Sequence, residues 1–240
     1  MTVQKRHVCG MGAVFILVSF LLIGTVSKVT DASQATMAKP TKWILIDPGH
    51  GGQDGGASTV DGAHEDDINL AVSGMLYDML TVCGYPVRMT RTEDTSIQHT
   101  DDPSGRSWKT NDMYNRLEMY DAAALTVSIH QNHFSQSKYS GTQLFYSPNT
   151  PQSRDIADCI RQTVVSFLQP ENKRELKAAG DSIFLLSRTT RPAVIVECGF
   201  LSNPAEAAQM QDAVYQQQMA FSVCCGILKY APEMSGENSG

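Results

Sequence analysis

The segment WILIDPGHGG, from Trp43 to Gly52, runs a short apolar stretch straight into a histidine set among glycines. Trp43, Ile44, Leu45 and Ile46 predict a buried strand, because an apolar run this short that stops at a turn signal fits inside a sheet. Pro48 has no amide hydrogen to give a ladder and ends it. Gly49, Gly51 and Gly52 let the chain turn tightly and leave the His50 imidazole open to close approach. Ligands of open α/β sheets gather outside the carboxyl ends of the strands, so His50 is expected to belong to a site.

Outward from that strand, elements alternate. Gln53–Ala63 is a glycine-rich loop. His64-Glu65-Asp66-Asp67 opens a helix, its acids suited to the positive helix end, and Ile68, Val72, Met75 and Met79 form the apolar stripe that Gly84 stops. Pro86–Thr90 predicts a short strand, and Arg91–Trp108 a polar loop near the site. A helix over Asp112–Ala123 leads to a strand over Leu125–Ile129 that delivers His130. A strand over Thr142–Tyr146, a helix over Pro151–Phe167 and a charged, mobile segment over Gln169–Gly180 follow. Strands are predicted at Ser182–Leu186 and Ala193–Val196, the second delivering Glu197. A single last helix starts at Pro204, with Met210, Val214, Phe221, Cys225 and Leu228 as its stripe. This alternation predicts an α/β fold, a three-layer αβα domain with a mostly parallel sheet.

An N-terminal hydrophobic leader precedes it. Lys5 and Arg6 stand before the uncharged run Met11–Val26, and Ala32 and Ala35 supply a small-residue cleavage pattern. Residues 1–28 are therefore expected to be a signal peptide or membrane anchor, 29–41 a linker, 42–231 the folded domain and 232–240 a disordered tail. That places the domain outside the cytoplasm, secreted or anchored to the membrane. A net charge of −6 with no basic run excludes nucleic acid as a partner. The six cysteines lack CxxC spacing, which argues against a disulfide framework or a cysteine zinc site. Cys83, Cys159 and Cys224 fall in apolar helical patterns and are expected to be buried free thiols.

Three chemically able side chains, His50, His130 and Glu197, thus end three strands, and Glu65 opens a helix at the same edge. Two imidazoles and one carboxylate, with a fourth position left to water, are a catalytic zinc donor set. The imidazoles favour zinc over calcium or magnesium. A further glutamate could take a proton from that water and pass it to a leaving amine. Spacing alone leaves plainer readings open. The histidines could bond locally at strand ends, Glu65 could be only a helix-start acid, and Glu197 is a salt-bridge partner as readily as a catalyst.

Five ordered stretches narrow this: Ile46-Asp-Pro-Gly-His-Gly-Gly52, Glu65-Asp-Asp-Ile-Asn-Leu-Ala71, Gly84–Arg91 with its Thr90-Arg91, Ser128-Ile-His-Gln-Asn132, and Pro192-Ala-Val-Ile-Val-Glu-Cys-Gly-Phe-Leu-Ser-Asn203. Through them the chain, from about Lys42 to Tyr230, resembles the zinc-dependent N-acetylmuramoyl-L-alanine amidases of the amidase-3 type. The last stretch, with the leader and the lack of wall-binding repeats, looks like the germination-specific amidases of spore-forming bacteria. The resemblance implies that 42–231 is a catalytic amidase domain, with His50, Glu65 and His130 as Zn2+ ligands and Glu197 as the catalytic carboxylate. Asn132 is expected to line the substrate cleft. The implied reaction is hydrolysis of the amide between N-acetylmuramic acid and L-alanine in peptidoglycan, in spore cortex maturation. Membrane contact would come through the N-terminal segment, and an activator protein is allowed for.

Two other functions compete. A zinc carboxypeptidase on stem peptides would need an arginine for the terminal carboxylate, and none is clearly assigned. A non-catalytic wall-binding module would have lost one of the four key residues, and all four are present. Arg91 and Arg116 match arginines of the family pattern and are expected in salt bridges. Asp47 is expected either to orient a ligand imidazole or to stabilise its turn. His64 and His133 are expected at the surface, and Ser128 on the face of the sheet opposite His130. Tyr120-Asp121 departs from the Ala-Asn pair common in the family, which puts substrate contacts there in question.

Overall fold

The computed structural model describes residues 43–98 and 106–234. The leader and the linker expected over 1–41, part of the Arg91–Trp108 loop, and 235–240 of the expected tail lie outside the described residues.

In chain order the elements are β1 (Ile44–Pro48), α1 (Glu65–Val82), β2 (Val87–Met89), α2 (Trp108–Ala122), β3 (Leu125–Asn132) and β4 (Gln143–Tyr146). Then come α3 (Pro151–Phe167), β5 (Lys177–Ala178), α4 (Phe184–Arg188), β6 (Ala193–Phe200), α5 (Pro204–Met210) and α6 (Ala213–Met234). The strands make one sheet in the order β2-β1-β3-β6-β4-β5. Pairs β2-β1, β1-β3, β3-β6 and β4-β5 are parallel, and β4 runs antiparallel to β6. Parallel neighbours need crossover connections, which the helices supply on both faces.

Side-chain alternation divides the core into two layers. Ile44, Ile46, Val127, Ile129, Val194 and Val196 face the layer shared with α1, α3 and α6. Leu45 and Ile195 face the smaller layer with Tyr120 of α2 and Leu185 and Leu186 of α4. The result is the expected three-layer αβα domain with a mostly parallel, mixed sheet.

Four local expectations are corrected. Ser182–Leu186 is no strand, because the apolar run Ile183–Leu186 turns as a helix that buries Leu185 and Leu186 under the sheet. Both β3 and β6 continue past the predicted ends, so His130 and Glu197 lie within paired strands and not beyond them. The last helix is broken at Gln211-Asp212 into α5 and α6. Finally, Cys83 caps α1 at its C-terminus and is exposed, and Cys159 is half-buried; only Cys224 is buried as expected.

Candidate active site

Register brings the site together. Asp47 pairs with Ser128 and Pro48 with Ile129 between β1 and β3, while His130 pairs with Glu197 between β3 and β6. The ladder shifts between His130 and Asn132, an irregularity of the kind that re-aims side chains beside active sites.

His50 follows β1 with φ of 63°, the one non-glycine positive φ among the described residues. A histidine in this left-handed region is uncommon and costs energy that surrounding contacts must offset. Two buried arginines supply those contacts. Arg91 donates to the Pro48 carbonyl at 3.1 Å and the Gly49 carbonyl at 3.0 Å. Arg116 donates to the Pro48 carbonyl at 2.9 Å and the His50 carbonyl at 2.6 Å.

Arg116 also pairs with Asp112 and with the fully buried Asp47. Asp47 further accepts from Tyr120, from Thr90 at 2.7 Å and from Ser128 at 2.8 Å. Burial opposes ionisation of Asp47, but the Arg116 charge and these hydrogen bonds outweigh it and hold the carboxyl well below the usual range. Of the two roles expected for Asp47, the structure supports the turn: its hydrogen bonds go to the arginine and hydroxyls, none to an imidazole. Ser128 lies two residues before His130, hence on the same face and not the opposite one, and it is fully buried against Asp47. Tyr120 and Asp121 prove structural. The first braces Asp47, and the second bonds Thr189, Thr190 and the Thr190 amide.

The carboxylate at His50 Nδ1 is Asp54, 3.2 Å away and 3.0 Å from Lys109 Nζ. Sequence reasoning missed it. Its signal was the spacing, four residues past His50 in a loop whose glycines let the chain fold back.

Glu65 reaches the same edge from the first turn of α1. Its Oε2 accepts from the Ala57 amide at 2.9 Å, and its Oε1 from the Gln131 amide at 3.0 Å and Asn69 at 3.3 Å. Oε1 also lies 3.3 Å from His50 Nε2 and 3.0 Å from His130 Nδ1. Burial alone would raise the Glu65 pKa, but the two histidines hold it well below the usual range. His50 is raised, because Glu65 and Asp54 outweigh its burial. Gly56, with φ of 68°, leaves room for this packing: a Cβ there would stand 2.6 Å from Glu65 Oε2 and 2.8 Å from His50 Cδ2.

His50, Glu65 and His130 thus present three donor atoms within 4.8 Å of one another. A tetrahedral ion with bonds of about 2.1 Å asks for ligands roughly 3.4 Å apart, so this set fits a metal ion. Glu197 stands next to it. Its Oε2 is buried with no hydrogen-bond partner, and among the described residues it makes no ion pair, which removes the salt-bridge reading. Burial and then the Glu65 charge push its pKa up to about 7 against the opposing pull of the histidines. A carboxyl so poised can exchange a proton near neutrality. Asn132 is half-buried at the ladder shift. His64 and His133 are exposed as expected, His64 with Ser58 at 3.1 Å. Arg116 makes its expected ion pairs and also holds backbone, whereas Arg91 makes none among the described residues and donates instead to the carbonyls of Pro48, Gly49, Asp66 and Glu93.

Comparison with known proteins agrees. The N-acetylmuramoyl-L-alanine amidase profile Amidase_3 matches residues 44–229. A germination-specific N-acetylmuramoyl-L-alanine amidase of Bacillus subtilis is 33% identical over 222 residues, spanning 91% of this chain and 92% of that protein. Among solved structures, the CwlD amidase from Clostridioides difficile, in complex with the GerS lipoprotein, superposes with a TM-score of 0.75 at 36% identity. That match covers 80% of this chain and 100% of the other. A second N-acetylmuramoyl-L-alanine amidase, from Clostridium difficile 630, gives 0.69 at 26% identity, covering 84% of this chain and 100% of its own. With its fold, its donor set and the profile match over 44–229 in agreement, the chain belongs to the Amidase_3 family of N-acetylmuramoyl-L-alanine amidases.

Proposed function

We propose that this amidase uses zinc, held by His50, Glu65 and His130, with Glu197 as the proton carrier and Asn132 at the cleft. The reaction is hydrolysis of the amide joining N-acetylmuramic acid to L-alanine in peptidoglycan. The observation that carries the residue roles is the orphaned, buried Glu197 oxygen beside a two-histidine, one-glutamate donor set. Zinc, when bound, supplies a Lewis acid that polarises the scissile carbonyl and makes water nucleophilic at neutral pH. Glu65 is oriented by three hydrogen bonds, so it would meet the ion without reorganising. Asp54 accepts from His50 Nδ1 and thereby turns Nε2 toward the ion. Glu197 takes the proton from water and returns it to the departing alanine nitrogen. Ser128 is bonded to Asp47 and needs no part in the chemistry.

The relatives support a finer reading in which the substrate is spore cortex and the protein works outside the cytoplasm, secreted or membrane-anchored through its leader. The similar CwlD amidase was solved with a lipoprotein, which supports an activating partner of that kind here.

The test labels amino groups newly freed from purified peptidoglycan by the zinc-loaded protein and by Glu197→Gln. N-terminal alanine from the unaltered protein is expected, with a rate roughly 10²–10⁴-fold lower in the variant at unchanged zinc stoichiometry. Free D-alanine instead would establish the carboxypeptidase. Loss of zinc from the variant would make Glu197 a ligand and overturn its assignment as proton carrier.

A further inference from the structure

Past the strand ends, the segment between β3 and β4 carries an aromatic ledge. Phe134 is 49% exposed, and its ring meets Tyr139 edge to face with centroids 5.0 Å apart. Tyr139 lies 6.2 Å from Phe200, which is buried at the end of β6. The Arg174 guanidinium covers Phe200 at 4.5 Å, and the Lys138 ammonium lies 5.5 Å from the Tyr139 ring. The backbone is fixed as well. The Phe134 amide donates to Ser202 at 3.1 Å, Asn203 donates to the Tyr139 carbonyl at 3.2 Å, and Arg174 donates to the Ser140 carbonyl at 2.7 Å. Rings held this way lose little freedom when something stacks on them.

The ledge leaves the sheet just past the ends of β3 and β6, the strands that carry His130 and Glu197. Phe134 follows His130 by four residues, a reach of at most about 14 Å. Phe200 follows Glu197 by three residues and pairs in the ladder with Asn132. The substrate is a sugar polymer on one side of the scissile bond and a peptide on the other. With the muramyl carbonyl at the donor set, the glycan strand and the stem peptide must leave the site in different directions. The flank with Asp54 and Lys109 is charged and suits the peptide's carboxylates and amines. Toward β6 the exposed ring is Phe134, backed by Tyr139, and an exposed aromatic ring suits the C–H face of a pyranose.

We propose that Phe134 and Tyr139 form a subsite that stacks a sugar of the glycan strand next to the muramyl residue being cleaved. This rests on the amidase reading and adds a specificity for polymeric substrate. The subsite favours strands over single-sugar muramyl peptides through KM, and it leaves the chemistry at Glu197 untouched.

The test compares the full-length zinc-loaded protein with Phe134→Ala and Phe134→Trp, with thermal melts confirming that each folds. Two readouts are taken: KM and kcat for alanine release from peptide-bearing glycan strands and from a single-sugar muramyl peptide, and direct binding of peptide-free glycan strands. Phe134→Ala is expected to raise KM on strands about 5–20-fold at unchanged kcat, the scale of one lost stacking contact. It should weaken glycan binding by a similar factor and leave the single-sugar substrate unaffected, and Phe134→Trp should restore both. Equal loss on both substrates, or unchanged glycan binding in Phe134→Ala, would overturn the subsite. If the unaltered protein frees no alanine from either substrate while Phe134→Ala still weakens glycan binding, the subsite stands and the fault lies in the amidase reading or its missing activating partner.

Discussion

Asp54 shows how much of this site lies one step behind the donor atoms. His50 has two ring nitrogens, and the group on Nδ1 decides which way the other faces. Asp54 sits 3.2 Å from Nδ1 and is itself braced by Lys109, so the ring is fixed before any ion arrives. Burial opposes ionisation of Asp54, yet Lys109 and His50 together keep its carboxyl below the usual range. Asp54→Asn keeps the shape and removes the charge that favours this tautomer. Zinc affinity is expected to fall about 10–100-fold, read by competition with a chromophoric chelator, at little change in the melting temperature of the metal-free protein. An unchanged affinity would mean that the φ of His50 and its arginine contacts suffice to aim the ring.

At the scale of elements, two contacts set how β1 and the helices meet. Asp47 on β1 and Arg116 on α2 form a buried pair whose other hydrogen bonds are all made within the protein. Because the folded-state pKa of Asp47 is depressed, its stabilisation is present above the ordinary carboxylate value of about 4 and lost as pH falls below it. Asp47→Asn leaves Arg116 with Asp112 as its one carboxylate partner, so a loss of about 3 kcal/mol is expected at pH 7 by urea unfolding. The gap between variant and unaltered protein should narrow as the measurement moves below pH 4. On the other face, α6 crosses α3 at Gly226, where an added Cβ would stand 2.5 Å from Ile160 Cα. That neighbour is backbone and cannot swing aside. Gly226→Ala should cost about 1–3 kcal/mol by overpacking despite its better helix propensity, and a gain in melting temperature would show that the helices can separate. Elements were also where the sequence was hardest to read. Ile183-Phe-Leu-Leu186 is too short for its period to separate strand from helix, and only the packing of Leu185 and Leu186 against the sheet decides it. By contrast, β1 and the apolar bodies of β3 and β6 were legible, because buried parallel strands read as unbroken apolar runs. His50, His130 and Glu197 followed from those strands. Glu65 could be assigned only by resemblance, since a helix-start acid has an ordinary explanation, and Asp54 escaped because loop folding sets its contact.

Across the whole molecule, the three donors come from chain segments that only the folded sheet brings together: the turn after β1, the start of α1 and the body of β3. An ion bound there engages the native state and has no equivalent set in the unfolded chain, so it must stabilise the fold by mass action. With zinc at 1,000 times its dissociation constant the stabilisation is about 4 kcal/mol. For a domain of this size that is on the order of 8–16 °C in melting temperature. The two apolar layers do not depend on the ion, since β1, β3 and β6 are buried among leucine, isoleucine and valine side chains on either side. Even without metal, Glu65 keeps its hydrogen bonds to the Ala57 and Gln131 amides and to Asn69. Chelation followed by thermal melting should therefore lower the midpoint by that amount while the far-ultraviolet dichroism at 25 °C stays that of the holoprotein. Readdition of zinc should restore both the midpoint and the activity. Collapse of the dichroism on chelation would instead make the ion a condition of folding, and the hydrogen bonds around Glu65 would then be too weak to hold the edge alone.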